Sequence, residues 1–131
     1  MSETLYCDLD DLKAAHQEHD LISLTDDAGT GEIDEGIVDA ARSKANAEIN
    51  PFLAQRYDLP FEAEEVPALL KVIAVPVTLY HLYARRLDDK DISLTILDRY
   101  KAAKDLLQLI KSGGISLGCA EKRRAPGIYA L

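Results

Sequence analysis

The segment from Val66 to Ala84, VPALLKVIAVPVTLYHLYA, constrains the fold most. Only Lys71 and His81 are ionisable within it. Such a segment must lie either in a bilayer or among other helices. It is just long enough to cross a hydrocarbon core. A Lys near the centre of an inserted helix costs about 3 kcal/mol, and Pro67, Pro76, Thr78 and His81 weaken insertion further. A helix apolar almost all round is also what the middle of a soluble bundle requires. The rest of the chain supplies partners, so the segment reads as a central helix, predicted to start at Glu64, Glu65 and Pro67 and to run to about Leu87 with a kink at Pro76.

The partner helices are legible from caps and spacing. A first helix begins behind Asp8, with Asp11 three residues on, and turns Leu9, Leu12 and Ala15 inward. It is predicted to end near His19-Asp20, with Leu21, Ile22 and Leu24 as an apolar connector. A second begins at Asp34 and carries Ile37, Ala41, Ala45, Ile49 and Phe52 on one stripe, with Asp39, Arg42, Ser43 and Asn46 opposite. Alanines mid-stripe let another helix approach closely. Pro51 predicts a kink, with Asn50 re-capping and a final turn through Gln55 that Leu59-Pro60 stops. A fourth helix, behind Asp91 or Ser93, buries Leu97, Tyr100, Ala103, Leu107 and Ile110 and ends at Gly113-Gly114. The fold class is therefore all-α, a small bundle of about four helices over residues 1–118 with a basic, flexible tail over 119–131. A short strand at Ile115–Cys119 is the one β signal.

Charge is unevenly placed. Residues 1–39 hold twelve acids against Lys13 alone, net −11, and residues 40–131 hold eleven acids against fourteen bases, net +3, which sum to the overall −8. The acidic third excludes a phosphate-binding face there. It reads first as a solvated acidic surface and, more sharply, as a polarised subunit that meets a neighbour head to tail. No basic and apolar leader opens the sequence, which argues against an export signal. Cys7 and Cys119, near opposite ends, form no disulfide framework and fit a reducing compartment, with a chance bridge left open.

The stretch Asp26–Glu35 imitates a calcium loop. Asp26, Gly31, Ile33 and Asp34 take its first, sixth, eighth and ninth positions, but Ala28, Thr30 and Ile37 stand where the third, fifth and twelfth need ligands. The preferred reading is a glycine-rich turn in which Asp26 and Asp34 bind backbone amides. The alternative is a calcium- or metal-responsive binding module using Asp26, Asp27, Glu32 and Asp34. His16 and His19 have zinc-like spacing without a third ligand, and read as part of an exposed acidic helix end. His81 reads as a satisfied core histidine. No catalytic residue, cofactor motif or phosphate-cradling loop emerges.

Arg56-Tyr57 has two readings. Tyr57 plugs the bundle end with its hydroxyl wet while Arg56 covers helix-terminal carbonyls, or the pair anchors an interface. Lys122, Arg123 and Arg124 either solubilise the tail or touch nucleic acid or a neighbour's acidic region. The apolar run Ile128-Tyr129-Ala130-Leu131 can dock as an arm on a partner.

The order Tyr6-x-Asp8-Leu9, Leu24-Thr25-Asp26, Gly31-x-Ile33-Asp34, Ala41, Ala45, Ile49, Phe52-Leu53-x-x-Arg56-Tyr57-x-Leu59-Pro60 resembles a family of Mu-like phage and prophage proteins. The resemblance continues through Val66-Pro67-Ala68-Leu69-Leu70, Arg99-Tyr100-Lys101-Ala102-Ala103 and Ile115-Ser116-Leu117-Gly118. It covers about residues 6–118. Pro51-Phe52 departs from the small residue and Tyr usual there, and the tail after Gly118 lies outside the motifs. That family is similar to the small helical neck proteins of tailed phages, which form a ring between portal and tail. The resemblance implies a structural head-tail connector subunit in the virion neck, a homo-oligomeric ring with portal and tail proteins as partners, and no catalysis. It also implies that Asp26, Gly31 and Asp34 shape a turn while Arg56, Tyr57 and Pro60 lock a helix exit.

Overall fold

The computed structural model describes residues 4–87 and 91–122. Five α-helices run in the order α1 (Leu9–Ala15), α2 (Glu18–Thr25), α3 (Glu35–Leu53), α4 (Ala68–Ala84) and α5 (Leu94–Ser112), with a 3-10 turn at Ala63–Glu65 before α4. Among the described residues there is no strand, and Ile115–Cys119 is irregular. No helix among them is long and apolar enough to cross a membrane.

The apolar helix α4 is the hub and packs chiefly against α3 and α5. Leu70, Ile73, Ala74, Val77, Leu79 and Leu82 are all buried along it. Burying one such aliphatic side chain stabilises the fold by about 1.5–3 kcal/mol. On α3, Ala41 and Ala45 are buried beside Val38, Ile49 and Leu53. The two alanines let the α3 backbone come close to its neighbours. Ile37 and Phe52 are half-buried at the stripe's margin.

Helix starts follow their caps. Asp8 and Asp11 form a reciprocal capping box, each carboxylate accepting from the other's amide at 2.9 Å. Ser93, rather than Asp91, caps α5 by accepting from the Ile96 amide at 3.3 Å. Gly113 closes α5 in the left-handed region at φ 86°, where a side chain would be strained.

Several expectations about the helices need correction. Two short helices replace one: α1 stops at Ala15, His16 is extended, and Leu21, Ile22 and Leu24 belong to α2 rather than to a connector. Asn46 is buried on α3 instead of facing solvent, because its amide donates to the Thr4 carbonyl and fastens the N-terminal segment. α3 runs through Pro51 to Leu53, and Asn50 does not re-cap; its side-chain oxygen accepts from the Tyr6 hydroxyl. α4 ends at Ala84, three residues short of Leu87.

Candidate functional site

Two places gather the sequence's candidate residues, the turn before α3 and the exit after it, and a groove between α1, α4 and α5 is a third feature.

In the turn, Asp26 accepts from the amides of Thr30 (2.8 Å) and Gly31 (2.7 Å) and from the Thr30 hydroxyl (3.1 Å). Those amide bonds favour the ionised form and hold the Asp26 carboxyl below the ordinary carboxylate range. Gly29 and Gly31 have φ of 75° and 78°, the left-handed geometry that lets the chain curl round Asp26. Asp34 caps α3, accepting from Gly36 (3.0 Å) and Ile37 (3.3 Å). The buried Thr25 hydroxyl accepts from the Asp34 amide at 3.0 Å. Asp27 points away from the turn, to Arg85 (2.6 Å) and Arg86 on α4's exit, and the Arg85 bond first among these effects lowers its pKa. The carboxylates of Asp26, Asp27 and Asp34 are thus engaged by amides and guanidiniums, and Glu32, the fourth candidate, is exposed. Among the described residues, no three His, Cys, Asp or Glu side chains gather as a metal site.

At α3's exit the helix has already stopped at Leu53, so Pro60 is not its terminator. The Leu59-Pro60 peptide is cis, and Phe61 beyond it packs its ring against Tyr57 (6.2 Å) and Tyr6 (6.4 Å). Tyr57 is 1% exposed, and its hydroxyl accepts from the Leu117 amide at 3.0 Å rather than from water. Arg56 does cover a helix-end carbonyl, but one of α5: Nη1 donates to Ile110 (2.6 Å) and also to Ile115 just beyond that helix (3.2 Å). Its other donors meet Glu121, with Nε at 3.2 Å from Oε1. Lys122 then binds α3's end, its amide to the Arg56 carbonyl (2.6 Å) and its Nζ to the Ala54 carbonyl (2.9 Å). Both Arg56 and Tyr57 therefore bind within the subunit. Arg123 and Arg124 lie outside the described residues.

The histidines are tied into helix contacts. His16, half-buried at the C-cap of α1, lies 2.6 Å from the Tyr83 hydroxyl and 3.7 Å from one oxygen of Asp20, while the exposed His19 on α2 lies 3.1 Å from the other oxygen of the same carboxylate. His81 lies 3.0 Å from Glu48, whose other oxygen accepts from Tyr100 (2.6 Å), with Lys104 at 3.4 Å. Burial pushes the Glu48 carboxyl up, but Tyr100, Lys104 and His81 together outweigh it and leave its pKa lowered. This α3–α4–α5 polar junction was not read from the sequence. Glu48 at the margin of the α3 stripe, facing a His in an apolar helix, was the available signal. Cys7 and Cys119 are both free thiols, and burial raises the pKa of each.

The groove lies between α1, α4 and α5. Val72, Val75, Pro76, Leu79 and Leu106 form its apolar floor, Lys71 and Arg99 stand on its rim, and its volume is about 550 Å³. Val72 is 60% exposed there.

With the turn, the exit clasp and the groove placed, the whole chain can be compared with known proteins. Residues 6–127 match the family described as Bacteriophage Mu, Gp36. The chain belongs to that family. The match runs past Gly118, where the sequence motifs end, and takes in Glu121 and Lys122, which fasten the exit of α3. No curated protein matches the chain. Membership in a phage protein family agrees with the resemblance carried by the RYDLP and LTD motifs.

Proposed function

We propose that this phage protein is a structural subunit of the head-tail connector, assembling as a ring in the virion neck between portal and tail after synthesis in the bacterial cytoplasm. The family match over residues 6–127 carries the reading. The structure supports it in kind: its polar clusters are clasps between helices, with Arg56, Glu48 and Asp27 each bridging separate elements. In this reading the chain is not an enzyme and needs no cofactor. Its partners are copies of itself and the portal and tail proteins. The acidic N-terminal third, net −11 against +3 for the remainder, suits heterologous contacts that close into a ring. Acidic surface facing the channel would let DNA pass by like-charge repulsion, without sequence-specific binding.

Negative-stain microscopy and native mass spectrometry at high concentration, with portal or tail protein present, test this directly. Rings are expected. A strict monomer under every one of those conditions overturns the reading.

A further inference from the structure

We propose that the groove between α1, α4 and α5 is an intersubunit socket, occupied by the 123–131 segment of a second copy of this chain. The proposal rests on the ring reading and names the two surfaces that meet.

The socket has the chemistry of a buried contact left open. Its floor is aliphatic, and Val72 in its lining is 60% exposed. Leu109, 45% exposed and one turn beyond Leu106 on α5, extends the apolar surface out of the groove. The rim itself carries Arg99 and Lys71, the latter paired with Asp11 at 3.3 Å. Acids flank the surface outside it: Asp10 on α1 and Asp98 and Asp105 on α5 are exposed and form no ion pair among the described residues. The segment RRAPGIYAL at 123–131 is complementary in kind. Arg123 and Arg124 match the flanking acids, and Ile128, Tyr129 and Leu131 match the floor.

Placement suits a neighbour's segment. Lys122 is pinned to the Ala54 and Arg56 carbonyls, beside Lys111 and Ser112 on the α3 flank of α5. Lys104, on that flank, reaches Glu48 of α3, whereas Leu106 lines the groove. Two residues along a helix are about 200° apart, so the arm departs and the groove opens on opposite flanks. Six residues from Lys122 to Ile128 reach about 20 Å when extended. That is ample to cross to an adjacent subunit. A donor on one flank and an acceptor on the other is the arrangement a head-to-tail ring requires.

The test is photo-crosslinking in the full chain. Isotope-labelled and unlabelled copies, each carrying Tyr129→p-benzoylphenylalanine, are mixed at high concentration with portal or tail protein and irradiated. Mass spectrometry then maps the linked peptides. The expected result is links to the α4 or α5 groove peptides in pairs that join a labelled to an unlabelled chain. V72D, at an exposed site that leaves the core intact, should lower their yield about tenfold by placing a charge on the apolar floor. Links within one chain, links to any other surface, or no links overturn the proposal. Microscopy of the same samples separates it from the ring reading. Rings with arms linked elsewhere defeat the socket alone, whereas labelled-to-unlabelled groove links without rings defeat the ring alone.

Discussion

The two ends of α3 solve the same problem by different means. Each must fix an irregular segment to a helix terminus. Before the helix, the turn is held by exposed carboxylates on backbone amides, with Asp26 and Asp34 as the organisers. After it, about 28 Å away along the axis, a buried tyrosine and a guanidinium do the holding, and they reach α5 as well as the chain that follows it. The first arrangement sets local shape; the second joins three separate elements to the core. The energetic consequence is unequal, and it can be measured.

The largest effect belongs to Tyr57. Replacing this fully buried aromatic by Ala leaves a cavity and should cost about 3–5 kcal/mol in a urea unfolding titration. Tyr57→Phe keeps the ring and strands only the Leu117 amide, so about 1–2 kcal/mol is expected. Equal losses for the two variants would mean that the hydroxyl, not the ring, dominates. Arg56→Ala should fall between them, because it releases the Ile110 and Ile115 carbonyls and Glu121 together. A melting temperature unchanged by Arg56→Ala would erase the contrast between the two ends.

The turn should respond more mildly. Asp34→Ala removes the α3 cap and should cost about 1 kcal/mol by the same titration. A loss as large as that of Tyr57→Ala would show that the turn, too, is part of the core.

This contrast also explains what the sequence disclosed. Local chemistry was readable: the Asp8–Asp11 box, Asp34 as a cap, Gly113 as a stop, and the Asp26 turn all depend on residues within a few positions of one another. Contacts across the chain were not. Asn46 reads as solvent-facing by periodicity, yet Thr4, 42 residues away, draws it inside. Tyr57 was read with a wet hydroxyl because Leu117, its partner, lies 60 residues on. The helix α2 was missed for a related reason. Its N-cap Gln17 makes no side-chain bond and it is only eight residues long, so the helical spacing of Leu21, Leu24 and Thr25 is too short a run to declare a separate helix.

The smallest expected effects concern protons and ions at the turn. The Asp26 carboxyl is lowered in the folded state by the Thr30 and Gly31 amides. Its contribution is therefore present above the ordinary carboxylate pKa of about 4 and is lost as pH falls through the lower folded value. The Thr30 and Gly31 amide resonances should report that titration, with a midpoint below that of an exposed aspartate. A midpoint at or above the ordinary value would remove the amide bonds from the account. Calcium should leave the same two resonances in place and release no calorimetric heat, because Asp26 faces amides and Asp27 faces Arg85 and Arg86. A saturable shift with calcium would require both carboxylates to leave those partners, and would turn the turn from a shape into a switch.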